Sequence, residues 1–487
     1  MRRKIEQLTG VQVYPASVSP VGKATFFLAR RALEKLVGVV GEHKLAGAVA
    51  GRIDGQSLTL GPTDTANAAA VRAAVAWLSP RLVGLATSAG LGDRLGLATP
   101  GHIRALCGAN VQAVLAQQSI REMTRTARTP EQVMDAALWG ALQEGFDAGF
   151  GADADHLQQT ADIDVTAKAG FTMFTIDPGK HVQDAADRMD GSALSERFER
   201  LDFAALACSA ADLRRRYAGK SFALAGGGRV SFDEMAFGRA AVKYGNAIAH
   251  VARMARHLKD RAAGPTELEV SVDETESPTS PAEHYFFAAE LKRLGVAWVS
   301  MAPRFVGRFE KGVDYIGDLD VFRRSFAQHV AVMRTLGPYK ISIHSGSDKF
   351  SIYQIVAELA DGLVHLKTAG TSYLEALRAI AAIDPGLFRE ILDFARQRYE
   401  TDKATYHVSA ELRHVPPPQE LSDEQLPGLL DDFHARQVLH VTFGSVLTAE
   451  GGARFRDRLL RQLAENEEIH YATLQKHLRR HIQPLER

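Results

Sequence analysis

Lys340-Ile-Ser-Ile-His-Ser-Gly-Ser-Asp-Lys349 opens as a strand and then breaks into a loop. Ile341 and Ile343 alternate with Ser342 and His344, the period-two pattern of a strand with two unlike faces. Small and charged residues follow, and a helical pattern restarts near Ile352. If the apolar side chains pack against helices, Ser342 and His344 point the other way. A histidine at a strand end, then Gly346 for tight backbone and Lys349 for an anion, makes a candidate active-site corner. The arrangement recurs at Leu363-Val-His-Leu-Lys-Thr-Ala-Gly-Thr-Ser-Tyr373, where Val364 and Leu366 face one way and His365 and Lys367 the other. Two successive units with matching chemistry predict a barrel whose strands deliver polar groups to one mouth.

Working outward, the same rhythm of strand, loop and helix begins near residue 82. Candidate strands fall at 82–88, 111–119, 151–157, 171–179, 267–274 and 297–304. With the two units above, these are the strands of an α/β, TIM-like (β/α)8 barrel. An open doubly wound sheet is the rival, but the glycine fingerprint of a dinucleotide site is absent, so no nicotinamide cofactor is expected. The barrel is assigned to 81–385, with a helical insertion at about 180–265. A small N-terminal α/β lead-in, 1–80, precedes it. In the lead-in, 24–40 reads as a helix, 45–51 as a short strand or turn, and 63–78 as an Ala-rich helix with a Thr/Asp cap. A helical C-terminal extension, 386–487, follows.

Composition narrows the class. The 487 residues carry 58 Lys+Arg against 58 Asp+Glu. That balance argues against nucleic acid or a membrane surface as partner. Two cysteines cannot make a disulfide framework or a cysteine metal cage. The basic start has no apolar core behind it, and no apolar run approaches the roughly 18 residues of a membrane span. A cytoplasmic enzyme acting on a small molecule is expected.

In such a barrel the chemistry sits at the carboxyl ends of the strands. Those ends offer Ser119, Asp155, His156, Asp177, Glu269 with Asp273 and Glu274, Arg304, His344, Lys349, His365 and Lys367. Leu268, Val270 and Val272 claim the helix-facing side of their strand. Glu269, Ser271 and Asp273 then point inward, where an acid is either paired or functional. Parity favours Glu269 over Glu274. Asp155 and His156 are adjacent, and both reach one site only if the strand end bends. Three imidazoles with interior carboxylates suit a divalent Zn, Mn, Ni or Co better than Mg. Ser119, Arg304, Lys349 and Lys367 are candidate substrate contacts, the three cations suiting a carboxylate or phosphate. For each residue a bland reading stands beside this one: a satisfied core histidine, a turn cap at Asp177, or a surface ion pair, above all at Lys349.

Several strings, taken in order, carry a likeness. They are Ala154-Asp-His-Leu157, Gly170-Phe-Thr-Met-Phe-Thr-Ile-Asp-Pro-Gly179, Ser271-Val-Asp-Glu-Thr-Glu-Ser-Pro-Thr-Ser-Pro281, Ala302-Pro-Arg-Phe-Val-Gly307, Lys311-Gly-Val-Asp-Tyr-Ile-Gly-Asp318 and the two stretches quoted first. Over residues 80 to 415 the chain resembles the tagaturonate epimerase family. The resemblance implies a metal-dependent isomerase that interconverts D-tagaturonate and D-fructuronate in hexuronate catabolism. It implies Asp155 as proton acceptor, Glu269 as proton donor, and His156 and His344 as metal ligands. Parity adds His365 as the remaining ligand, with Glu310 as fallback. The implied chemistry is retro-aldol cleavage and re-addition, with an enediol shift as the competing route. Two rival readings are a metal-dependent or Schiff-base aldolase or lyase using Lys367, and a sugar-acid binding protein without catalysis.

Overall fold

Eight short strands close into one parallel barrel in the computed structural model, which describes residues 1–486. They are β1 (Ser88–Leu91), β2 (Gln112–Ser119), β3 (Gly151–Leu157), β4 (Met173–Ile176), β5 (Glu267–Val272), β6 (Ser300–Pro303), β7 (Lys340–Ile343) and β8 (Val364–Thr368). Each pairs with the next in sequence, and β8 closes on β1, His365 opposite Ser88. Ile341, Ile343, Val364 and Leu366 are buried beneath the surrounding helices. Their neighbours Ser342, His365 and Lys367 line the interior, so the alternation read from the sequence is the pleat of the barrel wall. Thr175, Glu269 and Ser300 stand in register on β4, β5 and β6.

The start of the first strand differs from expectation. Residues 82–87 form no strand; Leu82 and Leu85 are exposed, and the strand runs Ser88–Leu91 instead. The Glu267 carboxylate accepts the Val83 and Gly84 amides, which ties this segment across the start of β5.

The lead-in also departs from its reading. Residues 24–40 are a β-hairpin, Ala24–Arg31 against Glu34–Val40, inside a six-stranded antiparallel sheet. Phe26, Leu28, Val37 and Val39 join the main core, while Phe27, Ala29, Leu36 and Val40 join a second one. A run buried on both faces loses its period-two signal and passes for a helix. The helix Thr65–Ala74 forms as expected, its N-cap Asp64 accepting the Asn67 amide.

The insertion is helical with one exception. Gly191–Glu199 and Ala210–Tyr217 are short helices, and Lys220–Ala223 pairs with Arg229–Phe232 as a hairpin. The long helix Glu234–Arg261 packs between Thr160–Ala169 and Pro281–Arg293 and so serves as the barrel's own helix after β4. Beyond residue 385 the chain is helical, with a core of its own around Leu387, Phe388, Leu439 and Phe455. Its last long helix, Glu467–Ile482, lies against Thr99–Leu106 and Thr371–Ile383. Among the described residues, no helix is long and apolar enough to cross a membrane.

Candidate active site

The bend that Asp155 and His156 require is present at the end of β3. Register against β4 slips there: Ala154 faces Phe174 but Leu157 faces Ile176, one extra residue on β3. His156 takes φ 51, a left-handed conformation uncommon for a residue with a side chain. This bulge turns Asp155 and His156 toward the same space instead of opposite faces. His156 Nδ1 lies 2.8 Å from Asp155 Oδ1, and its Nε2 lies 3.3 Å from Asp273 Oδ1.

His344, one residue beyond β7, completes the group. Its ring centroid is 5.0 Å from that of His156. Its Nδ1 lies 3.3 Å from Asp273 Oδ1 and its Nε2 2.6 Å from Glu269 Oε1. Asp155, His156 and His344 each offer a donor atom within 4.8 Å of the others. Two imidazoles and a carboxylate, with Asp273 against both rings, suit a borderline divalent ion. The Glu269 carboxylate on the far nitrogen of His344 is the kind of outer contact that orients a metal-binding imidazole.

Beneath them Lys367 is the hub. Its Nζ lies 2.6 Å from Asp153 Oδ2, 2.7 Å from Asp155 Oδ1 and 2.7 Å from Glu269 Oε1, and it donates to Thr175 Oγ1 at 2.6 Å. Ser300 also donates to Glu269. Burial would raise the carboxyl of Asp155, but His156 and Lys367 outweigh it and hold the group well below its ordinary range. Glu269 is held low against burial by Lys367 and His344. Asp153, wholly buried beside the carboxylates of Asp155 and Glu269, is pushed up to about 6 even with Lys367 against it. Burial disfavours charge on Lys367, yet its three carboxylate partners raise it well above the ordinary lysine value. An ammonium held by three carboxylates is a poor nucleophile, which counts against a Schiff base at this lysine.

Two neighbouring cavities with a shared border open above the cluster. The inner, about 50 Å³, is bordered by Asp155, His156, His344, Lys367, Lys311 and Tyr406. The outer, about 380 Å³, reaches from His344 and Asp273 to Arg304, Lys311 and the irregular segment 405–409 of the C-terminal extension.

Other expected residues fall elsewhere. His365 does point inward, but it pairs in register with Ser342, two residues before His344. It sits a layer lower, Nδ1 2.8 Å from Ser88 Oγ, and burial pushes its pKa down to about 3. It is not part of the Asp155, His156 and His344 group. Glu310 borders the outer cavity, yet its carboxylate accepts from Ser409 and Gln437. Lys349 does not face substrate: its fully buried Nζ donates to the carbonyls of Glu310, Val313 and Ser347. Ser119 caps the helix Ile120–Thr126 by accepting the Glu122 amide, while its position borders the inner cavity. Asp177 accepts from Gln158 and the Gly179 amide, the turn-capping role. Arg304 lines the outer cavity as expected. Glu269 lies in the floor under His344 and borders neither cavity, whereas Glu274 borders both.

Three site residues were missed. Asp153 shares the inward parity of Asp155, a signal the sequence did contain. Lys311 lies in a loop without periodicity. Tyr406 comes from a segment far along the chain, where only the fold brings it near.

The comparisons with known proteins agree with this architecture. Residues 14–485 match the model of the tagaturonate epimerase (UxaE) family. The chain is 43% identical over 480 residues to the tagaturonate/fructuronate epimerase of Thermotoga maritima, covering 98% of this chain and 97% of that one. The native crystal structure of the fructuronate-tagaturonate epimerase of Cohnella laeviribosi superposes with a TM-score of 0.92 at 36% identity, over 99% of this chain and 98% of that one. A glycerol complex of the same protein superposes equally well.

Proposed function

The chain belongs to the tagaturonate epimerase family, and on that premise we propose that it interconverts D-tagaturonate and D-fructuronate, with a divalent metal held by Asp155, His156 and His344. The observation that carries this reading is the convergence of those three side chains, from two separate strand ends, on the floor of one cavity. Zn, Mn, Ni or Co fits the donor set, and when bound it supplies Lewis acidity for a ketone and its enediolate.

The two sugar acids differ at a carbon one bond beyond the α position, whose proton the ketone does not acidify. Inversion there follows from retro-aldol cleavage. Asp155 takes the proton from the β-hydroxyl, the carbon–carbon bond breaks, the aldehyde fragment turns, and the bond re-forms on its other face. Glu269 is the proton donor in this reading, acting through Lys367. Asp155, Lys367 and Glu269 form a chain of 2.7 Å links, along which a proton taken by Asp155 can be passed to Glu269 and handed back through Lys367, which borders the inner cavity. A lyase that releases the fragments is the second reading, since cleavage is half of the same reaction.

The test is incubation of metal-loaded protein with D-tagaturonate, without nicotinamide cofactor, followed by NMR. Appearance of D-fructuronate supports the proposal. Accumulation of two three-carbon products supports the lyase instead. Solvent deuterium washed into the inverted carbon would sink the retro-aldol route.

A further inference from the structure

The cavity above the cluster is walled by cations, and they are not equivalent. Arg121 is ion-paired with Glu274 at 3.1 Å, and Arg308 with Glu310 at 3.4 Å. Among the described residues, Lys311 makes no ion pair; its Nζ donates to the hydroxyl of Ser345 at 2.6 Å. Arg304 uses its backbone amide on Thr279, and its guanidinium has no protein partner among the described residues. Arg304, with no carboxylate partner, and Lys311, which feels Glu274 only beyond ion-pair distance, form an anion site on one concave wall.

Lys311 also borders both cavities, so it stands between the cluster and the outer wall. Its mount is rigid. The Gly312 carbonyl accepts from Arg436 Nε at 2.6 Å, and the flanking carbonyls of Glu310 and Val313 accept from Lys349. Ser345, which holds the ammonium, directly follows His344 and has φ 48, so the loop carrying Lys311 is tied to the loop carrying the imidazole. The floor presents Asp155, Asp273, His156 and His344, with Asp153 and Glu269 below them around Lys367. In the epimerase reading the keto end of the sugar acid must lie at the metal held by Asp155, His156 and His344. That places the keto end inward and leaves the carboxylate against Lys311 and Arg304 on the outer wall.

We propose that Lys311, with Arg304 on the same wall, is the carboxylate anchor that makes this enzyme select keto sugar acids over the neutral ketohexoses. The proposal rests on the epimerase reading above. Anchoring the carboxylate leaves the aldehyde carbon of the cleaved fragment free to turn about its own bond without escaping.

The experiment compares wild type, Lys311→Gln, Arg304→Gln and Lys311→Arg, each with metal content and melting temperature checked. Substrates are D-tagaturonate and D-tagatose, which carries a hydroxymethyl group in place of the carboxylate. For Lys311→Gln, kcat/KM on the acid is expected to fall about 10²-fold, mainly through KM. On the neutral sugar it should fall by no more than a few-fold, and Lys311→Arg should recover part of the loss. Equal losses on both substrates, or no loss on the acid, would overturn the proposal. If wild type does not turn over the neutral sugar, inhibition by an inert six-carbon aldonate and its alditol replaces it. Lys311→Gln must then weaken the aldonate alone; unchanged aldonate inhibition counts against the proposal. Wild type inactive on D-tagaturonate would instead refute the epimerase reading.

Discussion

Lys367 shows how one side chain sets the protonation of a whole site. Three carboxylates lie within 2.7 Å of its Nζ, and all four groups are buried. Replacing it with methionine leaves Asp153, Asp155 and Glu269 facing one another without a cation. Breaking such a buried arrangement costs about 3–5 kcal/mol. Lys367→Met is therefore expected to lower the unfolding free energy by that amount, seen as a lower urea midpoint, and to abolish turnover. A variant of unchanged midpoint would contradict the charge balance described here. The same geometry predicts that borohydride with substrate does not trap a covalent adduct at Lys367. At this scale the sequence was informative for the inward-facing residues, because the barrel interior is polar enough for parity to show. Lys349 was misread for a physical reason: a lysine after a glycine loop looks the same whether it faces solvent or three carbonyls.

Among the elements, the C-terminal helices act as the outer brace of the catalytic loops. Asp348, at the end of the His344 loop, meets Arg436 Nη2 at 2.8 Å and His477 Nε2 at 2.6 Å. Its backbone amide donates to His481 Nε2 at 2.9 Å. Asp348, His477 and His481 have the spacing of a cation site, and the Arg436 guanidinium supplies the charge there. Because Arg436 also holds the Gly312 carbonyl, one side chain spans the loops of His344 and Lys311. Arg436→Met is expected to raise KM for the sugar acid by about tenfold or more and to lower the melting temperature. Steady-state kinetics beside a thermal melt check this; a variant that melts lower with KM unchanged would reduce Arg436 to a purely structural role. None of this coupling was legible from sequence, since Asp348, Arg436 and His477 are far apart in the chain and share no local pattern. The hairpin at 24–40 was hidden differently, by burial on both faces.

Over the whole molecule, buried neutral histidines make the fold sensitive to acid. His102, His329 and His470 are buried deeply enough that each is lowered to about 4 from an ordinary 6.5. On unfolding, each takes up a proton near 6.5 that the fold refuses until about 4. The unfolded chain thus binds more protons in that window, and stability falls as pH drops through it. The slope is on the order of 1.4 kcal/mol per pH unit for each group. Chemical denaturation between pH 4 and 7 measures it, and His102→Asn should flatten the slope by about one proton. At this scale the barrel and the helical C-terminal extension were legible, because strands bearing polar groups inward alternate with helical segments. The antiparallel sheet of the lead-in was not.

The most direct measurement is epimerisation of D-tagaturonate before and after exhaustive chelation, with elemental analysis of both samples. Asp155, His156 and His344 around one cation predict that activity disappears with the metal and returns on adding back a single divalent ion. Full activity in protein shown to be metal-free would contradict the account.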